Sequence, residues 1–209
     1  MTDNAPNADV QAPLFLGIRL QDMSNSYTID MLMEVLEPIY NKFNDTDVRN
    51  DVEQIAMTKN KYPSWNFPKE PHITSFYVGG GPPTPDQQKT IDAFVEDVDV
   101  ELNFKIIAYI PGQLIAAPAF FDRQRFNVDN RFPHLTLAGK DMAAVYSNNL
   151  PASLYDDNPT DAAAYDKQFV DGKPNMELYN VTIEGKQYKC YVSYRPFSKI
   201  ARTRKFYQA

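Results

Sequence analysis

The chain has 209 residues, of which 43% are hydrophobic and 23% charged, and its 21 basic and 27 acidic side chains leave a net charge of −6. That is enough apolar mass for one buried core, while the acidic balance argues against broad, non-specific nucleic-acid binding, which usually shows a basic face, and not against a small pocket for one phosphate. The absence of any apolar run of about eighteen residues excludes an apolar membrane-spanning helix, and the single cysteine, Cys190, excludes an intrachain disulfide and a cysteine-built zinc site.

Residues 1–12 are polar and lack the apolar segment of a signal peptide, so they read as a flexible N-terminal tail, with a cytoplasmic location expected. Leu14 to Leu20 (LFLGIRL) has strand character. Ser26 to Phe43 carries Ile29, Leu32, Met33, Leu36 and Ile39 or Tyr40 at helical spacing, with Pro38 placed to end or kink the helix. Asp47 to Met57 predicts a second helix, and residues 60–71, with three prolines and the only tryptophan, a loop. His72 to Val78 predicts a strand closed by Gly79-Gly80-Gly81.

Thr84-Pro85-Asp86-Gln87 reads as a helix start: Thr84 caps, Pro85 suits the first helical position, and Gln87 completes a capping box. That helix reaches about Val95 or Val98. Strands are predicted at Val100 to Ile110, Leu114 to Phe121 and Pro133 to Ala138, and a short helix at Asp141 to Asn149. Residues 150–175, rich in Pro, Asp, Asn and Ala, read as an insertion. Glu177 to Ile183 and Gln187 to Tyr194 flank Glu184-Gly185-Lys186 as a hairpin. A single domain over residues 13–198 then precedes a basic tail, residues 199–209. This order predicts an α+β fold with antiparallel pairs rather than regular βα alternation.

The chain has two histidines, and both lie in the same setting. Pro71-His72-Ile73-Thr74 and Pro133-His134-Leu135-Thr136 each read Pro-His-aliphatic-Thr, and each runs on to a glycine, Gly79 or Gly139. The copies are 62 positions apart (134 minus 72), a small internal repeat. In a strand, alternate side chains share a face. His72 and Thr74 therefore point one way and Ile73 the other, as do His134 and Thr136 against Leu135 and Leu137. Two such strands facing each other present two imidazoles and two hydroxyls. One imidazole takes a proton from an attacking water or hydroxyl, and the other protonates the leaving oxygen. The hydroxyls donate to the phosphate oxygens as charge grows in the transition state. Such a set is enough for phosphodiester chemistry without metal, so neither a metal nor a cofactor is expected.

A lone histidine beside threonine is ordinarily a structural ring, and the duplication is what argues against that. His-x-Thr supplies no third metal ligand, and no Gly-x-Ser-x-Gly elbow or Gly-Lys-Ser/Thr loop is present. Arg131 and Lys140 flank the second motif as candidate phosphate contacts or solvated charges. Arg123, Arg125 and the basic tail add local positive charge. Phe76 falls on the His72 face if its strand is regular, where it stacks on a base or packs in the core. The same two readings stand for Trp65.

These residues resemble the two-histidine phosphoesterase superfamily, which includes RNA 2′,3′-cyclic phosphodiesterases and enzymes that cleave 2′,5′-oligoadenylate. Its signature is two His-x-Thr/Ser motifs on strands, matched by His72-Ile73-Thr74 and His134-Leu135-Thr136. Leu14 to Leu20 is similar to the family's opening strand. The similarity covers residues 14–140. It implies a bilobal fold of two pseudo-symmetric lobes, with antiparallel sheets facing a central cleft and helices outside. It further implies catalysis by His72 as acid and His134 as base. Thr74, Thr136, Phe76 and Arg131 are expected to bind substrate. The expected substrate is a 2′,3′-cyclic phosphate or 2′-5′ linkage in a nucleotide or short RNA, cleaved by a monomer without a membrane or metal partner. The alternative is a non-catalytic module that holds RNA ends or cyclic nucleotides in the same cleft. The run Ser75-Phe76-Tyr77-Val78 departs from the family's aliphatic-rich continuation of the first motif.

Overall fold

The structure, a computed structural model, describes residues 12–58, 65–126, 129–130, 132–140, 147, 150 and 176–207. Among these the order of elements is β1 (Phe15–Leu20), α1 (Asn25–Phe43), α2 (Thr46–Thr58), β2 (His72–Tyr77), α3 (Pro85–Ala93), β3 (Asp99–Ile110), β4 (Leu114–Phe120), α4 (Arg123–Phe126), β5 (His134–Gly139), β6 (Met176–Ile183) and β7 (Lys186–Phe206). The fold is α+β, as the sequence predicts. No helix among the described residues is long and apolar enough to cross a membrane.

Local chemistry accounts for the helix ends. Ser24 caps α1 by accepting the Tyr27 N–H at 3.1 Å, and Ile29, Leu32, Val35, Leu36 and Ile39 form its buried stripe. Pro38 does not break the helix. It lies on the exposed side, where the carbonyl it frees at Glu34 can turn to water. At α3 the capping box forms as expected: the Thr84 N–H donates to Gln87 Oε1 at 2.9 Å and the Gln87 N–H to Thr84 Oγ1 at 3.3 Å.

The strands form one antiparallel sheet in the order β2-β1-β7-β3-β4-β5, with β6 paired to the first part of β7. Helices α1 and α2 cover one face over a core that includes Ile18, Leu36, Leu102, Phe104 and Tyr109. The two sheets implied by the bilobal expectation are thus continuous, because β3 and β7 run through both halves. Register breaks beside Lys105 on β3, facing Arg195 and Pro196 on β7, mark where the halves meet. Beyond the break, the face opposite the helices carries a second core of Ile106, Ala108, Ala116, Val181 and Val192, closed by Leu150.

The basic tail expected at residues 199–209 is corrected by the structure. Lys199 to Phe206 is the last stretch of β7, inserted between β1 and β3. Its strand signal is the alternation of small buried Ala201 and Thr203 with outward Arg202 and Arg204, which a count of charges hides. Residues 1–11 of the expected tail, and 151–175 of the expected insertion, lie outside the described residues.

Two buried carboxylates fasten the helical corner to the sheet. Asp45 accepts from Tyr191 Oη at 2.7 Å and Lys189 Nζ at 2.8 Å. Asp51 accepts from Tyr109 Oη at 2.7 Å, the Gly112 N–H at 2.5 Å and Lys140 Nζ at 3.0 Å. The second set ties α2 to the β3–β4 turn and to the residue that follows β5.

Candidate active site

Both motifs open strands at opposite edges of the sheet. Register places their histidine and threonine side chains on one face, the face away from α1 and α2. Arg19 pairs with His72 and Gly17 with Thr74, while Pro118 pairs with His134 and Ala116 with Thr136. Directly paired residues share a face, and both faces connect through β7, β3 and β4. Each threonine therefore stands opposite a residue with little or no side chain, Gly17 or Ala116.

The repeat extends to the rings. His72 Nδ1 donates to the carbonyl of Glu70 at 2.7 Å, and His134 Nδ1 donates to the carbonyl of Phe132 at 2.9 Å. In both cases the acceptor lies two residues earlier. A carbonyl only accepts, so each Nδ1 carries the proton and each neutral ring presents Nε2 as a base.

The sheet's two edges approach one another, and the chain before β5 lies along β2. The Asp129 and Asn130 N–H groups donate to the Ser75 carbonyl at 3.1 and 3.0 Å, and Asn130 Nδ2 to the Thr74 carbonyl at 3.1 Å. On the other side, Pro71 and Thr136 line one crevice with Met23, Asn25, Thr28 and Phe67. Residues 130 and 136 thus bracket His134 just where 74 and 71 bracket His72, so the two strand starts lie side by side.

The surroundings of the two rings differ. His72 rests on Phe15, with ring centroids 4.6 Å apart, and meets Phe206 at 5.0 Å, while Phe15 and Phe206 stack on each other at 4.4 Å. The three rings meet over Gly17, where an added Cβ would stand 3.2 Å from Phe206 and 3.4 Å from Phe15. His134 is 8% exposed, and its Nε2 receives the hydroxyl of buried Ser147 at 2.8 Å. Burial lowers the pKa of both imidazoles. At His72 the Glu70 carbonyl and then the Glu70 carboxylate push the other way. At His134 only the Phe132 carbonyl does so, and the charge of His72 adds to the lowering.

The remaining candidates fall elsewhere. A bulge at Ser75, whose hydroxyl donates to the Leu16 carbonyl at 2.9 Å, breaks the alternation of β2 and pairs Phe76 with Leu16. Phe76 is therefore turned from the His72 face to the opposite one. There it lines a cavity of about 290 Å³ with Phe94, Val95, Arg125 and Phe126. Lys140 is held by Asp51 and lies over the Trp65 ring at 5.0 Å, and Trp65 itself is a core residue at 1% exposure. Arg131 and the side chain of Arg123 lie outside the described residues. Among the described residues no three His, Cys, Asp or Glu side chains gather as a metal site requires.

Sequence reasoning missed Ser147, Gly17, Phe15 and Phe206. The last three carry a signal, a small residue among large ones on a strand, but only the register shows that they meet.

No protein-family model matches the sequence, nor does any curated protein sequence. Solved structures do match. One, described as the crystal structure of a fungal RNA kinase, aligns with a TM-score of 0.54 at 17% identity. The alignment covers 99% of this chain and 50% of that one, so this chain spans about half its length. At that identity the likeness is one of fold.

Proposed function

We propose that the chain is a metal-independent phosphodiesterase acting on a 2′,3′-cyclic phosphate or 2′-5′ linkage in a nucleotide or short RNA. The observation that carries this reading is the duplicated His-x-Thr, repeated on one sheet face down to the carbonyl that holds each ring. His134 Nε2 takes the proton of a water whose oxygen bonds to phosphorus. His72 enters this step as the imidazolium, protonated on both nitrogens, and as the bond from phosphorus to the departing ribose oxygen breaks it gives that oxygen its Nε2 proton. Thr74 and Thr136 donate to the non-bridging oxygens. Burial lowers both rings, but at His72 the Glu70 carboxylate partly offsets it and at His134 no carboxylate does, a difference in the direction of this division of roles. Ser147 must yield its contact with His134 when phosphate binds. An RNA kinase shares the fold, and a nucleotide or short RNA fits that same class of substrate.

Purified protein assayed with 2′,3′-cyclic nucleotides and 2′-5′ oligoadenylate in EDTA tests the proposal. His72→Ala and His134→Ala should each reduce turnover by about 10²–10⁴-fold with the fold intact by circular dichroism. Activity that disappears on adding EDTA, or that survives both substitutions, rules the reading out. The burial of His134 and its bond to Ser147 favour a second reading, a binding module with no turnover. Tight binding of a 2′,3′-cyclic nucleotide without product formation would select it.

A further inference from the structure

The face that carries His72 continues across β1 and β7 in three rows set by the register. Tyr77, Phe15 and Phe206 form the first row, Thr74, Gly17 and Arg204 the second, and His72, Arg19 and Arg202 the third. The first row is aromatic and ends in Tyr77, which is 66% exposed at the edge of the sheet. The other two place three arginines beside the motif, in a chain whose net charge is −6. Each arginine is paired with a carboxylate: Arg19 with Glu70 at 3.1 Å, Arg202 with Asp99 at 2.8 Å and Arg204 with Asp97 at 2.9 Å. In every pair both partners are substantially exposed, and the carboxylate more so than the arginine. Exposed pairs of this kind contribute little, about 0–1 kcal/mol each, so a phosphate can replace the carboxylate at small cost. A phosphate also accepts the two-pronged guanidinium bond.

We propose that this face is a track for single-stranded RNA. Tyr77 stacks on a base beside the scissile phosphate, and Arg19, Arg202 and Arg204 hold the phosphates that follow as the strand crosses β1 towards β7. Aromatic platforms joined to a basic groove are how proteins hold single strands without reading sequence. Arg202 and Arg204 are two residues apart on one strand, about 7 Å, close to the step between phosphates of an extended strand. The inference rests on the phosphodiesterase reading and narrows its substrate to an oligonucleotide several residues long.

The test separates binding from chemistry. A fluorescein-labelled RNA decamer ending in a 3′-phosphate, which offers no cyclic ester, is titrated with the full chain and followed by anisotropy at several salt concentrations. Arg202→Ala/Arg204→Ala should weaken binding at least tenfold and flatten the salt dependence by roughly 1.4 in log–log slope, about 0.7 per lost phosphate contact. Tyr77→Ala should weaken it about 5- to 100-fold, the loss of one stacked base. Arg202→Lys/Arg204→Lys should recover part of the affinity, which a folding defect would not allow. In turnover, the ratio of kcat/KM for a cyclic-phosphate-ended decamer to that for a 2′,3′-cyclic mononucleotide should fall at least tenfold in the alanine variant. Unchanged decamer affinity and salt slope in that variant overturn the track. If no substrate is turned over but the variants still lose decamer affinity, the track stands and the phosphodiesterase reading falls.

Discussion

Gly17→Ala tests how the strand beneath His72 is built. An alanine Cβ at residue 17 would lie 2.6 Å from the carbonyl oxygen of Ile73, a backbone atom that has no rotamer to give. Ordinary contact begins at 3.4 Å, so β1 and β2 must part by about 0.8 Å (3.4 minus 2.6). Overpacking of this kind costs about 1–3 kcal/mol. For a chain of this size that is about 2–12 °C in Tm, at about 2–4 °C per kcal/mol. The same methyl meets Phe206 and Phe15, the rings on which His72 lies. If His72 is the acid of the proposed phosphodiesterase, a shift approaching 1 Å should lower kcat by about 10²-fold. Thermal melting and steady-state turnover read the two effects together. Wild-type Tm would refute the close-approach argument. A lowered Tm with unchanged kcat would show that the rings do not position His72.

Four further outcomes are expected. Thr74→Ala and Thr136→Ala should each lower kcat about 10- to 1000-fold, and single-turnover rates equal to wild type would remove the hydroxyls from the chemistry. Ser147→Ala should free His134 Nε2, lowering KM while kcat stays within a few-fold of wild type; a hundredfold fall in kcat would place Ser147 in the chemistry instead. Asp51→Ala strands the Tyr109 hydroxyl and the Lys140 ammonium, so urea unfolding should show a loss of about 3 kcal/mol, the lower end for a broken buried pair because Lys140 reaches solvent. Both imidazoles are lowered, chiefly by burial, so the unfolded chain binds protons first as pH falls. Their stabilisation is complete above about pH 6.5 and is lost as pH drops below it through the folded values. Tm measured from pH 5 to 7.5 should therefore slope less in His72→Gln/His134→Gln than in wild type, and parallel slopes would contradict the burial argument.

The parts of this molecule that were legible in its sequence are those decided locally. The capping box at Thr84 and Gln87 is one. The hairpin turn at Glu184-Gly185 is another, with both residues at positive φ, 51° and 77°. The duplicated Pro-His-aliphatic-Thr is the third, because strand alternation alone assigns its two faces. What depended on partners was hidden. The bulge that turns Phe76 away is sustained by one bond from Ser75 to a carbonyl on β1, and nothing in Thr-Ser-Phe-Tyr announces it. The burial of Trp65 and the engagement of Lys140 with Asp51 join residues far apart in the chain. Ser147 reaches His134 from a segment with no motif of its own. The last stretch of β7 was obscured by its arginines, whose outward positions are what an alternating strand allows.

The pairing of β1 with β7 also sets a timetable. Phe15 is matched with Phe206, 191 positions later (206 minus 15). At roughly 5–20 residues per second, a ribosome leaves β1 waiting about 10–40 s for that partner. Until then His72 has one of its two aromatic neighbours, and one edge of β1 lies open to other chains. A nascent polypeptide therefore completes the face that carries His72 late and all at once, which makes the interval before β7 emerges the period of greatest exposure to misassembly.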